Sequence, residues 1–198
     1  EDERNYINIL NNYRRSITDL MINAGLNDSG YHPVAVQAAT ALTASTAPQL
    51  DGGRKGQMIL FLYNARLINK DNPRIYLADI DLSGANLANT RLKGINLPKS
   101  NLTKANFNHA DLTDANLSSA ILIGAELKHS LLSNTDFTAA NLEGTLLSEH
   151  PSQASQKARI KLLEAIRRGK YWQEARLSPQ LQNALQHLSP KTDKPPGG

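Results

Sequence analysis

The 198-residue chain is predicted to be mainly β, with α-helical caps on both sides of a repetitive core. Three observations carry that prediction. A five-residue period runs without insertion from Ile75 to Glu149. The flanks show the three- and four-residue apolar spacing of amphipathic helices. Hydrophobic residues make up 40% and charged residues 20%, enough apolar material for a packed interior and too little charge for a disordered chain.

Written in fives from Ile75, the chain gives fifteen pentads, among them ANLAN, ADLTD, ANLSS and ANLEG. Their third position is occupied by Leu77, Leu82, Leu87, Leu92, Leu97, Leu102, Phe107, Leu112, Leu117, Leu122, Leu127, Leu132, Phe137, Leu142 and Leu147. The first position is Ala in seven pentads, Ile in three, and Thr or Ser in the rest. Period five is neither that of a helix nor that of a plain strand. It suits a short extended step followed by a corner. In extended backbone, positions one and three point the same way, so a small and a large residue can fill a narrow interior together. Positions two, four and five are rich in Asn, Asp, Ser, Thr, Gly and Lys, which suit solvent and tight turns.

These pentads closely resemble the pentapeptide repeat family, whose signature is A(D/N)LXX. The resemblance covers about Ile75 to Glu149, and it implies a right-handed quadrilateral β-helix with four pentads per coil. On that reading residue n lies beneath residue n+20, and fifteen pentads form just under four coils, a rod about 18 Å long. One inward column is then Leu77, Leu97, Leu117 and Phe137, and the next is Leu82, Leu102, Leu122 and Leu142. The third is Leu87, Phe107, Leu127 and Leu147, and the fourth is Leu92, Leu112 and Leu132. A dry axis of this kind leaves no room for a cofactor, and none is expected.

The flanks are expected to cover the open ends of the rod. Residues 1–74 read as an N-terminal helical capping region. Its helices are expected from Arg4 to Ala24, with Gly25 as the stop, from Pro33 to about Ala44, and from about Arg54 to Ile68. The run DGGRKGQMILFLYNARLI is similar to the segment that precedes the repeats in cyanobacterial members of the family. The repeats occupy 75–150. A C-terminal helical cap is expected over 151–188, with helices at Ser155–Gly169 and about Pro179–Leu188, followed by a disordered tail at 189–198.

Function is less legible. The absence of Cys excludes disulfides, thiol nucleophiles and thiolate metal sites. No stretch is long and apolar enough for a membrane span. With 1 Trp, 6 Tyr and 3 Phe, a base-stacking platform is not expected. No Ser/His/Asp arrangement suggests nucleophilic catalysis, so the chain reads as non-enzymatic. GGRKG at 52–56 lacks the spacing of a phosphate loop and reads as a helix start. His109 and His129, twenty residues apart at position five, are the weak metal candidates, with Asn89 or Glu126 as neighbours. The net charge of +4 is uneven: +1 over 1–74, −3 over 75–150 and +6 over 151–198. Lys157, Lys161 and Arg168 form a basic stripe that reads as a solvated face, so nucleic acid is not an expected partner.

Ile121, Ile123, Leu131 and Leu146 place branched apolar residues at outward positions and are the candidate interaction surface. They are expected to be covered either by the chain's own helices or by a protein partner. The leading reading is a rigid scaffold for protein–protein interaction, monomeric or weakly dimeric, with an unidentified partner. A DNA-mimicking modulator of gyrase, in the manner of longer and more acidic family members, and a surface metal-binding protein are the alternatives. Glu1 is not Met, so a processed chain or fragment is expected. A cytoplasmic location is the expectation, with a tether upstream of Glu1 left open.

Overall fold

The computed structural model describes residues 2–28, 30, 32–149, 163–167 and 176–186. Three helices come first: α1 (Asp2–Asn23), α2 (Pro33–Thr46) and α3 (Gly52–Asn64), with a single 3-10 turn at Ala47–Gln49. Leu10, Tyr13 and Ile17 recur on one face of α1 and are buried against the other two helices. The Tyr13 hydroxyl shares a 2.8 Å hydrogen bond with Thr43 Oγ1, and its ring meets Phe61 edge-on at 6.4 Å. Burial pushes the Tyr13 phenol far above its ordinary range, and the bond to Thr43 only partly offsets this. Gly25, at φ +69°, ends α1 and lets the Leu26 N–H reach back to the Leu20 carbonyl at 3.0 Å.

Helix α3 stops at Asn64, short of the expected Ile68. Arg66 adopts φ +59°, which turns the chain so that the buried Leu67 and Ile68 lie against the first coil.

From Asp81 onward the chain stacks on itself with a twenty-residue register. Parallel bridges join Asp81, Asn101, Ile121 and Asn141 in one ladder, and Asn86, Asn106 and Glu126 in a second. A third ladder joins Arg91, Asp111 and Leu131, and a fourth Asn96, Asn116 and Asp136. All fifteen third-position side chains are at most 2% exposed. Where the first position is Ser or Thr, a buried hydroxyl must find an acceptor. Ser100, Ser130, Thr135 and Thr145 each donate to the carbonyl of the residue 23 positions earlier, at 2.8–2.9 Å.

The five-residue pattern follows from complete accounting of backbone donors. In the pentad 105–109, the Ala105 N–H closes a turn to Leu102 O at 3.0 Å, and Asn106 N–H donates down to Ala85 O at 2.9 Å. Phe107 and His109 N–H donate up to Glu126 O at 2.8 Å and Lys128 O at 2.9 Å. The remaining donor, the Asn108 N–H, is taken by Asn106 Oδ1 at 3.0 Å. The same five bonds recur in pentads 110–114 and 115–119. The Asn or Asp of the signature is thus the acceptor for the one amide that the ladder leaves over. Pro98 fits at position four because it has no N–H to place.

Every fifth-position residue from Asp79 to Gly144 has φ between 57° and 68°. This is the left-handed residue of a type II turn. Four of these corners are Gly, but Lys99, Lys104, His109, Ser119, His129 and Ala139 hold the same conformation at a cost that the ladder bonds on either side offset.

Both ends are capped by backbone. In the first coil, Asn86 N–H donates to Gly52 O at 2.8 Å and Asn96 N–H to Ile68 O at 2.9 Å. The helical region thereby supplies the acceptors that a preceding coil would otherwise provide. At the far end, β1 (Glu126–Ser130) and β2 (Leu146–Glu149) pair in parallel with a bulge at His129. A third parallel strand, β3 (Arg176–Leu177), then pairs with β2. This strand is not anticipated by the sequence reading, which assigns only helices after the repeats. It is followed by α4 (Pro179–Gln186). Of the helix expected at Ser155–Gly169, residues 163–166 are helical, with Leu163 and Ile166 buried. Arg167 is in a turn, while residues 155–162 and 168–169 of that expected helix, Lys157, Lys161 and Arg168 among them, the expected end at Leu188 and the tail at 189–198 lie outside the described residues.

Candidate functional site

With the interior closed, what the repeats offer other molecules is their outward positions. Ile121 is 39% exposed, and Ile123, Leu131 and Leu146 are half-buried. The expectation of a single apolar cluster does not hold for all four. Ile121 and Ile123 flank Leu122 on one wall, but Leu131 belongs to the ladder of Asp111 and Leu146 to that of Glu126. The reason is arithmetic: 121 and 131 differ by half a coil, so the same register that aligns the Leu columns separates these residues. Leu146 is also covered along its backbone by Arg176 of β3.

Ile121 stands between Asn101 and Asn141, both of which accept from the amide two residues on, at 3.1 and 3.0 Å. An isoleucine has no such acceptor, so the Ile123 N–H loses the bond that the signature provides. Ile121 therefore departs from the local rule in two ways: it exposes apolar surface and it gives up a structural hydrogen bond.

His109 and His129 come together as expected from the register, with ring centroids 5.1 Å apart and planes 27° from parallel. Nitrogen lone pairs lie in the ring planes, so rings stacked face to face do not aim them at one point. Among the described residues no third His, Cys, Asp or Glu joins them. The Glu126 carboxylate is engaged by Asn108 Nδ2 at 2.6 Å. The arrangement is a side-chain ladder and not a chelate.

The GGRKG run turns out to be a docking element. Asp51 caps α3 by accepting from the Arg54 N–H at 2.9 Å. Burial alone would raise the Asp51 carboxyl, but bonds from the Arg54 amide and guanidinium outweigh it and hold it below the usual range. Gly52 and Gly56, one helical turn apart, lie on the first coil: a Cβ on Gly52 would stand 2.1 Å from Gly84 O. Between them Lys55 is buried, 3.3 Å from Asp81 Oδ2 and 3.1 Å from Ser83 O. The glycine-to-glycine spacing of four was the signal available in the sequence. Val34 at 78% exposure in α2 and Tyr76 at 56% in the first pentad are further apolar surface with no counterpart among the outward residues singled out above.

Among the described residues no helix is long and apolar enough to cross a membrane. Pentapeptide repeats, in eight copies, match residues 80–118 and 110–148. No curated protein matches the sequence. Among solved structures, the chain is similar to a pentapeptide repeat protein (Rfr23) from the cyanobacterium Cyanothece 51142, at 25% identity and a TM-score of 0.38. That match covers 55% of this chain and 63% of the other. It is also similar to HetL of Nostoc sp. strain PCC 7120, a pentapeptide repeat protein involved in heterocyst differentiation regulation, at 30% identity and a TM-score of 0.21. Here 46% of this chain and 40% of the other are covered. A pentapeptide repeat protein of the Arabidopsis thaliana thylakoid lumen matches at 21% identity and a TM-score of 0.28, over 45% of this chain and 68% of its own.

Proposed function

Over its repeat region the chain belongs to the pentapeptide repeat family, and from that premise we propose that it is a non-enzymatic scaffold that presents a rigid wall to a protein partner. The repeats are read as a right-handed quadrilateral β-helix, the arrangement that a twenty-residue register of four pentads and the right-handed rule for parallel crossovers favour. The observation that carries the functional reading is Ile121. It trades a structural hydrogen bond for exposed apolar surface in the middle of a ladder of asparagines. Such a trade against local stability marks a surface kept for contact. A wall held by the ladder bonds of Ile121 N–H to Ser100 O and Leu122 N–H to Asn141 O also loses little conformational entropy on docking.

The proposed contact is the wall of Ile121 and Ile123, with Asn101 and Asn141 as its polar rim. DNA mimicry fits this chain less well, because Lys93, Lys99, Lys104 and Lys128 interrupt the acidic positions. The test is co-purification and cross-linking from the native host with the full chain and its Ile121→Asn variant. That substitution restores the signature residue and is expected to leave the fold intact. Loss of the partners captured by the wild type is the expected result. Retention of every partner by the folded variant removes this wall from consideration.

A further inference from the structure

Where the chain passes from α3 toward the repeats, a cleft of about 640 Å³ opens in the cap, lined by Asn27 and by residues between Tyr63 and Arg74. Seven of the eight side chains lining it are Asn, Asp or Arg, and the eighth is Tyr63. Ligand pockets of this size are ordinarily walled by apolar and aromatic groups, so this one is built for a ligand held by hydrogen bonds and charge. We propose that it binds a small polyhydroxylated anion, with the chemistry shared by sugar phosphates and sugar acids.

Four observations point that way. Arg66 and Arg74 bring two guanidiniums to the cleft against the single carboxylate of Asp71. Among the described residues neither arginine forms an ion pair, so their charge is available to an anion. Asn69 lines the same cleft, and its Oδ1 is buried with no donor among the described residues. A turn of that carboxamide delivers the oxygen to a ligand hydroxyl, which would satisfy a group that is otherwise costly to leave unpaired. Carboxamides such as those of Asn27 and Asn64 carry both donors and acceptors, the complement of a hydroxyl array.

The walls are also held from both sides. Tyr63 donates its hydroxyl to Lys93 O at 2.8 Å, Arg74 Nη1 donates to Gly30 O at 3.3 Å, and Lys70 N–H donates to Gly94 O at 2.8 Å. Groups anchored in this way need little reorganisation to receive a ligand. The cleft lies on the helical side of the molecule and is independent of the wall at Ile121.

The test is calorimetric titration of the full chain with glucose 6-phosphate and glucuronate, with glucose and inorganic phosphate as comparisons. One or both sugar anions are expected to saturate the protein, with glucose and phosphate each about tenfold weaker or worse. Arg66→Gln and Asn69→Asp are expected to weaken the sugar anion by about tenfold while leaving the melting temperature in place. Arg66 is exposed and makes no described side-chain bond, so its variant keeps the test valid should Asn69→Asp fail to fold. No saturable binding of either sugar anion overturns the proposal. So does equal affinity for inorganic phosphate, or undiminished affinity in Arg66→Gln.

Discussion

A Cβ placed on Gly56 would stand 2.0 Å from the carbonyl oxygen of Asn86, so α3 rests on the first coil through bare backbone. The same helix turn supplies Gly52 O to the Asn86 N–H. Any side chain at Gly56 must push the helix off the edge it caps. Gly56→Ala is expected to destabilise the protein by about 3 kcal/mol, at the upper end of the usual cost of overpacking. Gly53→Ala is the matched comparison, because its Cβ would meet only the Asp51 carboxylate, at 3.2 Å. That variant is expected to be neutral or slightly stabilising through helix propensity. Chemical denaturation of both variants checks the contrast, and equal losses would refute close docking.

Asp81 and the buried Lys55 make the stability of this junction depend on acid. Burial alone would raise the Asp81 carboxyl, but the Ser83 hydroxyl and amide and the Lys55 ammonium outweigh it and hold it below the ordinary range. A carboxyl lowered by folding contributes stability above its unfolded pKa, and that contribution is lost as pH falls through the folded value. Asp81→Asn keeps the acceptor for Ser83 N–H and removes only the charge. It is expected to be less stable at pH 7, with a shallower decline in melting temperature below about pH 4. Parallel curves for variant and wild type would show that the pair contributes nothing.

The side chain at position two should be separable from the rest of the pentad. Asn106→Ala removes the acceptor for Asn108 N–H and is expected to cost about 1 kcal/mol, whereas Asn106→Asp keeps it. Ile121→Asn runs the other way and is expected to gain about 1 kcal/mol by restoring a bond to the Ile123 N–H. Urea unfolding of the three variants measures this. A loss on Ile121→Asn would mean that the isoleucine is there for packing and not for contact.

Phe107 is fully buried among the inward leucines. Phe107→Ala is expected to cost about 3–5 kcal/mol by leaving a cavity that the rigid ladders cannot collapse. Phe107→Leu, which restores the commoner residue of this position, is expected to cost less than about 1.5 kcal/mol. Thermal melts of the two variants would show whether position three is set by volume or by shape.

How much of this was readable in advance varies by residue. The inward columns, the ladder that brings His109 to His129, and the stop at Gly25 follow from spacing and turn chemistry alone. Those features depend on residues meeting their own equivalents, or on a turn with a known residue preference. Ile121 stands apart from Leu131 and Leu146 because a shared departure from the signature carries no information about location, which the twenty-residue register sets. Arg66 was missed as the end of α3, since an arginine in the left-handed region carries no local signal. The strand Arg176–Leu177 was missed because two residues pairing with Leu146 and Leu147 leave no periodicity to detect.

A repeat read from one dimension specifies its own stacking, because each coil is the template for the next and the period alone says which side chains share the axis. The chain therefore determined, unaided, its fifteen inward positions. Only folding decided what has no equivalent twenty residues away: which carbonyls close the first coil, how near a bare helix approaches it, where two arginines and the buried Asn69 carboxamide oxygen converge. Those depend on contacts between segments of unlike sequence, which are settled by shape and by the need to place every buried donor and acceptor.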